Sequence, residues 1–222
     1  MSLTTVDRFT SSFLLKNIFS SIMSILKGVR FCMDKKQKIL MVAVHTGFRD
    51  EELFIPKEIF EKEGFEVVVA SNSPGQAIGK LGGTIPVDLV ISHVHPDDYA
   101  ALVVVGGPGV AVLFNNLDLF GIVRDFSQKR KVTSAICSAP VVFANAGILN
   151  SKKATCFSEQ RDKLENGGAF YTGHLVERDG DIITGSGPEA SKEFAEAVVK
   201  AIHWQTGEQD IRADMRNTRK RF

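Results

Sequence analysis

The chain has 222 residues, of which 44% are hydrophobic, and a formal net charge of +1. This length and composition suit one globular domain with appendages, and the near-neutral charge gives no reason to expect a nucleic-acid partner. The cysteines are Cys32, Cys137 and Cys156, an odd number without a CxxC pair, which argues against a disulfide framework or a zinc finger. The same cysteine count favours a reducing compartment, so we expect a cytoplasmic location. No apolar segment reaches membrane length, so we expect no membrane contact.

The N-terminal segment 1–33 differs in charge from the rest of the chain. It holds four basic residues against Asp7 alone, and five aliphatic residues from Leu15 to Val29 fall on one face of a helix. A basic, serine-rich, amphipathic segment is typical of a transit peptide for organelle import. The alternatives are an ordinary amphipathic helix packed on the domain, or a start codon upstream of a natural beginning at Met33.

These differences set the predicted domain limits. We treat 1–33 as an N-terminal extension and place the folded domain at 34–205. The segment 206–222 is polar and basic near its end, which predicts a solvated or disordered tail, with a binding arm as the alternative.

From Lys38 onward, short apolar runs alternate with helical patterns. The runs that predict strands are, in chain order, KILMVAVH, FEVVVAS, ALVVVGGPGV, KVTSAIC and KATCF. Helices are predicted to begin near Leu53, Leu117, Ala139, Glu159 and Pro188. The glycine-rich segment 74–86 predicts loops or a hairpin, and HLVERDGDIIT predicts a hairpin. Strands that are apolar throughout and alternate with helices predict a mostly parallel sheet covered on both faces, which is a three-layer α/β/α sandwich.

Cys137 stands where a predicted strand ends and a helix begins. In open α/β sheets ligands bind beyond the carboxyl ends of the strands, and a strand–nucleophile–helix turn holds its side chain out on a strained backbone, as in the nucleophile elbow of hydrolases. The N-terminus of the following helix favours a thiolate. The alternative is a buried cysteine that packs as a small hydrophobic residue.

Two further motifs are expected at the same edge of the sheet. GGPG, from Gly106 to Gly109, follows the third predicted strand, and the N–H of Gly107 with that of Cys137 or Ser138 could form an oxyanion hole. The alternative for GGPG is a tight turn. RDEELFIP begins the first helix, where the dipole favours acidic residues, so Asp50 and Glu51 are interpreted as solvated capping residues.

The third acid of that helix, Glu52, is the one expected to face inward, because it begins the same helix as the apolar Ile55.

In order and spacing, four motifs of the chain resemble those of the ThiJ/PfpI superfamily: GFRDEELFIP, DYAALVVVGGPG, SAICSAP and DGDIITGSGPEAS. That superfamily includes a parkinsonism-associated deglycase and PfpI-type intracellular proteases. The resemblance covers about Lys38 to Trp204. It implies a flavodoxin-like sandwich, a homodimer, a small-molecule substrate, and neither cofactor nor metal. The site residues that it implies are Cys137 as the elbow cysteine, Glu52 as its acid partner, and Gly107 with the amide of Ser138 as the oxyanion hole.

In the family this acid is typically protonated and hydrogen-bonded to the sulfur. The resemblance therefore implies a lowered pKa for Cys137 and a raised pKa for Glu52, with the two groups titrating as a coupled pair.

The chain departs from the family pattern at the histidine partner of the cysteine. The PfpI-type branch has a histidine directly after the cysteine, where this chain has Ser138. The deglycase branch uses a histidine after the next strand, where the alignment gives Phe157 or, slipped by one residue, Cys156. A Cys/His dyad needs such a base for acyl transfer, so peptidase activity is disfavoured. Cys156 is interpreted as a core residue, with a second thiol near Cys137 as the alternative.

Histidines elsewhere in the chain are the alternatives for the missing base. His45 ends the first predicted strand and is the candidate for a compensating base, with a locally hydrogen-bonded strand-end histidine as the alternative. His93 and His95 form a His-x-His pair of a kind that binds metal on strands, but Pro96 favours a turn. His174 and His203 are interpreted as surface residues.

Functions of different classes follow from a reactive cysteine beside an acid. The favoured one is a cofactor-independent enzyme of the glyoxalase or deglycase type, acting on small reactive carbonyls in a stress response. The alternative is a redox-sensing or chaperone-like protein in which Cys137 is reversibly oxidised before Cys156 or Cys32. A weaker alternative is an intracellular cysteine amidase or peptidase.

Overall fold

The computed structural model of the protein describes residues 36–219, and the side chains of residues 36–207; the predicted extension 1–33 lies outside the described residues. The strands are β1 (Lys38–Val42), β2 (Thr46–Phe48), β3 (Glu66–Ser71), β4 (Gly75–Gly79), β5 (Thr84–Val87), β6 (Leu89–Val90), β7 (Ala101–Val104), β8 (Val132–Ile136), β9 (Lys153–Ala154), β10 (Phe170–Tyr171), β11 (Val176–Asp179) and β12 (Ile182–Gly185). The helices are α1 (Asp50–Lys62), α2 (Leu117–Gln128), α3 (Pro140–Asn145), α4 (Arg161–Asn166) and α5 (Ser191–Arg219).

Seven strands form the central sheet in the order β11-β12-β8-β7-β1-β3-β6. All neighbouring pairs are parallel except β11 with β12, which form the antiparallel hairpin predicted around Asp179 and Gly180. The central strands β1, β7 and β8 are almost wholly buried, as expected when both faces of a sheet are covered. The predicted three-layer α/β/α sandwich is confirmed.

The order of the strands reverses at one place in the sheet. The chain moves from β1 to β3 on one side and later returns to β7 on the other side of β1. In open α/β sheets the crevice at such a reversal is where ligands bind. The loops that follow β1, β7 and β8 all open at this edge, and they carry the site candidates.

Helices cover the two faces of the sheet in separate groups. α1 packs against α5, while α2 packs against α3 and against the strands β7 and β8. Small strands lie outside the central sheet: β2, β4 and β5 form one sheet, and β9 and β10 pair in another. The glycine-rich segment predicted as loops or a hairpin is the antiparallel hairpin of β4 and β5.

The last helix is longer than the sequence pattern predicts. α5 continues from Ser191 to Arg219, so much of the segment 206–222, predicted as a tail, is helical backbone. The residues after Trp204 are mostly good helix formers and include no proline, which allows the helix to continue past Gly207. Among the described residues, no helix is long and apolar enough to cross a bilayer.

Candidate active site

Cys137 lies directly after β8, at the turn into α3. Its φ angle is 63°, a left-handed conformation that non-glycine residues seldom adopt. Its backbone N–H donates to the carbonyl of Gly185 at 2.9 Å, which fixes the turn to the neighbouring strand. The expected strained turn between strand and helix is therefore present at this cysteine, and such strain is often found at functional sites.

The thiol of Cys137 is only 8% exposed and has polar neighbours on several sides. Ser138 Oγ lies 3.9 Å from the sulfur, and the N–H of Gly107 and the carboxyl of Glu52 also interact with it. Burial, followed by the negative charge of Glu52, raises the pKa of the Cys137 thiol to about 12. This direction is opposite to the lowered pKa that the family resemblance implies, because burial penalises the thiolate.

Glu52 lies in the first turn of α1, and its side chain is fully buried, as the sequence predicts. Oε2 accepts a hydrogen bond from the N–H of Gly106 at 3.1 Å. Oε1 is buried and has no hydrogen-bond partner among the described residues. Burial raises the pKa of Glu52 to about 7, although hydrogen bonds from Cys137 and from the Gly106 amide lower it. A buried oxygen without a donor favours the protonated acid, whose O–H can point at the sulfur.

Cys137 and Glu52 therefore form a coupled acid pair. The negative charge of either group disfavours ionisation of the other, so the pair loses its two protons in separate steps. As the pH passes through about 7 the carboxyl of Glu52 loses its proton, while the thiol of Cys137 keeps its own. The Glu52 carboxylate can then accept the thiol proton when the sulfur attacks an electrophile and can return a proton to the product.

The GGPG motif brings backbone directly against this pair. A Cβ atom on Gly106 would lie 2.6 Å from Cβ of Cys137 and 2.7 Å from Oε2 of Glu52. Gly107 has a φ angle of 114°, and a Cβ there would lie 2.4 Å from the backbone N of Arg49. Only glycine fits such close approaches, and this is what turns the Gly107 N–H toward the thiol.

The first two acids of α1 are not solvated capping residues. Asp50 is only 8% exposed, and its oxygens accept hydrogen bonds from the amides of Leu81 and Gly83, both at 2.7 Å. Glu51 binds the guanidinium of Arg49 through two hydrogen bonds of 2.8 and 3.1 Å. The interpretation of both as solvated caps was wrong, because the β4–β5 hairpin and Arg49 fold back over the start of α1.

A cavity of about 450 Å³ opens above Cys137 at the edge of the sheet where the strand order reverses. It is large enough for a small metabolite. Its lining combines the acid pair, apolar side chains and three basic side chains; the residues are Arg49, Glu52, Lys80, Gly107, Pro108, Val110, Ala111, Phe114, Cys137, Ser138, Phe157, Glu159, Gln160, Lys163 and Pro188.

The structure does not bring His45 into this cavity. Nε2 of His45 lies 3.1 Å from the carbonyl oxygen of Pro74, and Nδ1 lies 3.5 Å from Oγ1 of Thr46. The ring thus faces the loop before β4, and His45 does not fit the role of a compensating base at Cys137. The alternative interpretation, a strand-end histidine with local hydrogen bonds, agrees with these contacts.

Phe157 and Cys156 are the two residues that the resemblance aligns with the deglycase-branch histidine. Phe157 lines the cavity, and its N–H donates to the carbonyl of Cys137 at 2.8 Å. Cys156 is only 1% exposed in the core, where burial and then the charge of Cys137 raise its pKa to about 12. It is therefore a core residue and also a neighbour of Cys137, so both interpretations hold in part.

The other histidines lie away from the cavity. All four are exposed: His93, His95, His174 and His203. The described residues contain no cluster of three or more side chains suited to hold a metal ion. Nδ1 of His174 contacts Oε2 of Glu177 at 2.9 Å, and His203 stacks on Phe65.

Sequence reasoning missed the basic side chains of the cavity. Arg49, Lys80 and Lys163 come from the start of α1, the β4–β5 turn and α4, and no spacing in the sequence links them. The only signal was the position of Arg49 within RDEELFIP, next to the predicted acid.

The protein is an α/β sandwich with Cys137 at the turn after a central strand, and the comparison with known proteins gives its family. Residues 37–201 match the model of the DJ-1/PfpI family, so the chain belongs to that family. An uncharacterised protein of Methanocaldococcus jannaschii is 46% identical over 171 residues, which cover 76% of this chain and 83% of that protein.

Relatives with functional names and solved structures agree with this membership. A protein named as a deglycase from Thermococcus kodakarensis is 34% identical over 68% of this chain and 90% of its own length. The crystal structure of a ThiJ/PfpI domain protein from Brachyspira murdochii superposes with a TM-score of 0.74 at 37% identity, covering 76% of this chain and 98% of that one. The structure of DJ-1beta from Drosophila melanogaster, 24% identical, has the same fold with a TM-score of 0.70 over 76% of this chain and 91% of that one.

Proposed function

We propose that this protein is a cofactor-independent enzyme that converts small 2-oxo aldehydes into 2-hydroxy acids through Cys137. The observation that carries the proposal is the acid pair: the buried Glu52 carboxyl, with a pKa raised to about 7, beside the Cys137 thiol at the cavity. Relatives named as deglycases support chemistry on reactive carbonyls. Phe157 in place of the deglycase-branch histidine makes Glu52 the proton carrier for every step.

The reaction begins with attack of the Cys137 sulfur on the aldehyde carbon. The C–S bond forms as the carbonyl π bond and the S–H bond break, and Glu52 carries the thiol proton to the oxygen to give a hemithioacetal. The N–H groups of Gly107 and Ser138 are the donors proposed to stabilise the developing oxyanion.

Glu52 then moves a proton from the former aldehyde carbon to the neighbouring ketone carbon, and the hydroxyl proton of the hemithioacetal passes to the ketone oxygen. The hemithioacetal thereby becomes the thioester of a 2-hydroxy acid, with the aldehyde carbon oxidised and the ketone carbon reduced. Water adds to the thioester, the C–S bond breaks, and the thiol is restored. An acid with a pKa near the working pH can both accept and donate the proton in these steps.

The test is formation of lactate from methylglyoxal by the full chain and by Cys137→Ala and Glu52→Gln. The product must be measured, because thiols and lysines remove aldehydes without turnover. We expect lactate from the native protein and a loss of at least about 100-fold in each variant. Equal lactate formation in the native protein and both variants would exclude the mechanism and favour a redox role for Cys137.

A further inference from the structure

The basic side chains of the cavity have no role in the chemistry described above. Three of them, Arg49, Lys80 and Lys163, line the cavity that contains Cys137, and we refer to them as the basic rim. The carboxyl groups that line the same cavity are Glu52, which is half ionised near neutral pH, and Glu159.

The three members of the basic rim differ in how far their charge is compensated. Arg49 is held by Glu51 through two hydrogen bonds, so much of its charge is offset. Lys80 and Lys163 form no ion pair with any carboxylate within residues 36–207. Two uncompensated ammonium groups at one small cavity favour an anion there.

Lys163 is also held in place. Its Nζ donates to Oε1 of Gln160 at 2.8 Å and lies 4.9 Å from the centre of the Phe114 ring. Gln160 and Phe114 both line the cavity, so these contacts place the exposed Lys163 ammonium group at the wall.

Lys80 is placed at the cavity through its backbone. Its N–H donates to the carbonyl of Phe48 at 2.8 Å, and Asp50 holds the amides of Leu81 and Gly83 in the same turn. The turn that carries Lys80 is therefore tied to the start of α1, which also carries Glu52.

We propose that the substrate of this site is a 2-oxo aldehyde that carries a carboxylate at its far end. The inference rests on the proposed function and adds the chemical class of the substrate. The aldehyde carbon binds at Cys137, the short carbon chain contacts the apolar wall that includes Phe114 and Phe157, and the carboxylate binds Lys163 and Lys80. The simplest such compound is 4,5-dioxopentanoate, which takes up one water and releases one proton to give 2-hydroxyglutarate.

The experiment compares kcat/KM for 4,5-dioxopentanoate, its methyl ester and methylglyoxal, with the hydroxy acid measured as the product. The acid and its ester have the same carbon chain and differ in charge. We expect a preference of roughly tenfold for the acid over the ester, which decreases as salt is added, because an ammonium–carboxylate contact contributes modestly at a solvated site.

The lysines are tested by Lys163→Gln and Lys80→Gln, each expected to lower kcat/KM for the acid by roughly three- to tenfold and to slow the acid more than the ester. Lys200→Gln is the matched control, since Lys200 is exposed on α5 and does not line the cavity. Equal rates for acid and ester, or equal slowing of both by the lysine variants, would overturn the inference while the proposed function stands.

A failure of the proposed function has a different signature. In that case neither methylglyoxal nor 4,5-dioxopentanoate gives a product that depends on Cys137. Calorimetric binding of 2-hydroxyglutarate to Cys137→Ser then tests the basic rim without turnover. Binding that Lys163→Gln weakens supports an anion site at the rim, and no binding overturns it.

Discussion

Burial is the physical cause of the properties of Cys137 and Glu52. In water these groups would titrate independently, but here each has lost solvent and lies against the other. The first ionisation of the pair falls near pH 7 and the second near pH 12. The singly protonated pair is therefore the dominant form between those values, and it holds the Glu52 carboxylate as a base beside the Cys137 thiol.

The pH dependence of activity should follow this first ionisation. We expect kcat/KM for methylglyoxal to rise as the pH passes through about 7 and then to level off, since the pair must lose one proton to become active. In Glu52→Gln the inflection near 7 should vanish from any residual activity. A profile that is flat across this region in the native protein would show that the pair does not control the rate.

Stability should also depend on the protonation of Glu52. Its pKa is raised from 4.5 to about 7 in the folded protein, so the native state binds the proton more tightly than the unfolded state does. The stability contributed by the protonated acid is present below 4.5 and is lost as the pH rises through about 7.

Denaturant unfolding of the native protein and Glu52→Gln measures this effect. The stability of the native protein relative to the variant should fall by an amount on the order of 3 kcal/mol between about pH 4.5 and about pH 8. The variant serves as the control because glutamine does not titrate. A difference that is constant over this range would mean that Glu52 has an ordinary pKa.

At the scale of elements, the loop after β7 must approach α1 and the elbow without side chains. Gly107→Ala would force a Cβ against the backbone of Arg49 and strain a φ angle of 114°. We expect a loss of stability of at least about 1–3 kcal/mol and a larger loss of activity, because the N–H that faces the thiol would shift. Gly121→Ala is the matched control: nothing lies within 4 Å of its Cβ, so a gain of about 0.5–1 kcal/mol is expected.

Thermal unfolding and lactate formation measure both variants. If Gly107→Ala were as stable and active as Gly121→Ala, the close approach at Gly107 would not be needed by the site.

Asp50 links α1 to the β4–β5 turn, and its removal tests how firmly Lys80 is placed. Asp50→Ala leaves the amides of Leu81 and Gly83 without their acceptor, which should cost about 1–3 kcal/mol of stability. It should also raise KM for 4,5-dioxopentanoate more than for its methyl ester, because the turn that carries Lys80 loses its anchor. A KM that rises equally for both substrates would point to a general distortion of the cavity.

The sequence predicted the elements of the sheet better than the ends of the helices. The apolar run of β7 and the short run of β8, which includes Thr133 and Ser134, lie between turn signals and indicate buried strands. The Asp-Gly pair between β11 and β12 indicates a tight turn. The C-terminus of α5 could not be predicted, because Gly207 resembles a helix stop and no strong breaker follows it.

At the scale of the whole molecule, the site lies where three chain segments meet at the reversal of strand order. Cys137, Glu52 and Gly107 could be predicted because each stands in a motif at the end of a strand or the start of a helix. The basic rim could not, since its residues belong to separate loops that only the folded chain brings together. The homodimer and the domain limits remain predictions from the sequence.

The measurement that tests the central claim most directly is the fate of methylglyoxal on Cys137. Protein mixed with methylglyoxal is analysed by native mass spectrometry, which preserves the reversible hemithioacetal, with Cys137→Ala as the reference for adducts on lysines, while lactate is measured in parallel. Glu52→Gln should still form a Cys137 adduct by slow uncatalysed addition and give little lactate, because the proton transfer between the two carbons needs Glu52; the native protein should form lactate with little adduct. Lactate at the native rate from Glu52→Gln, or an adduct on lysines with Cys137 unmodified, would contradict the account.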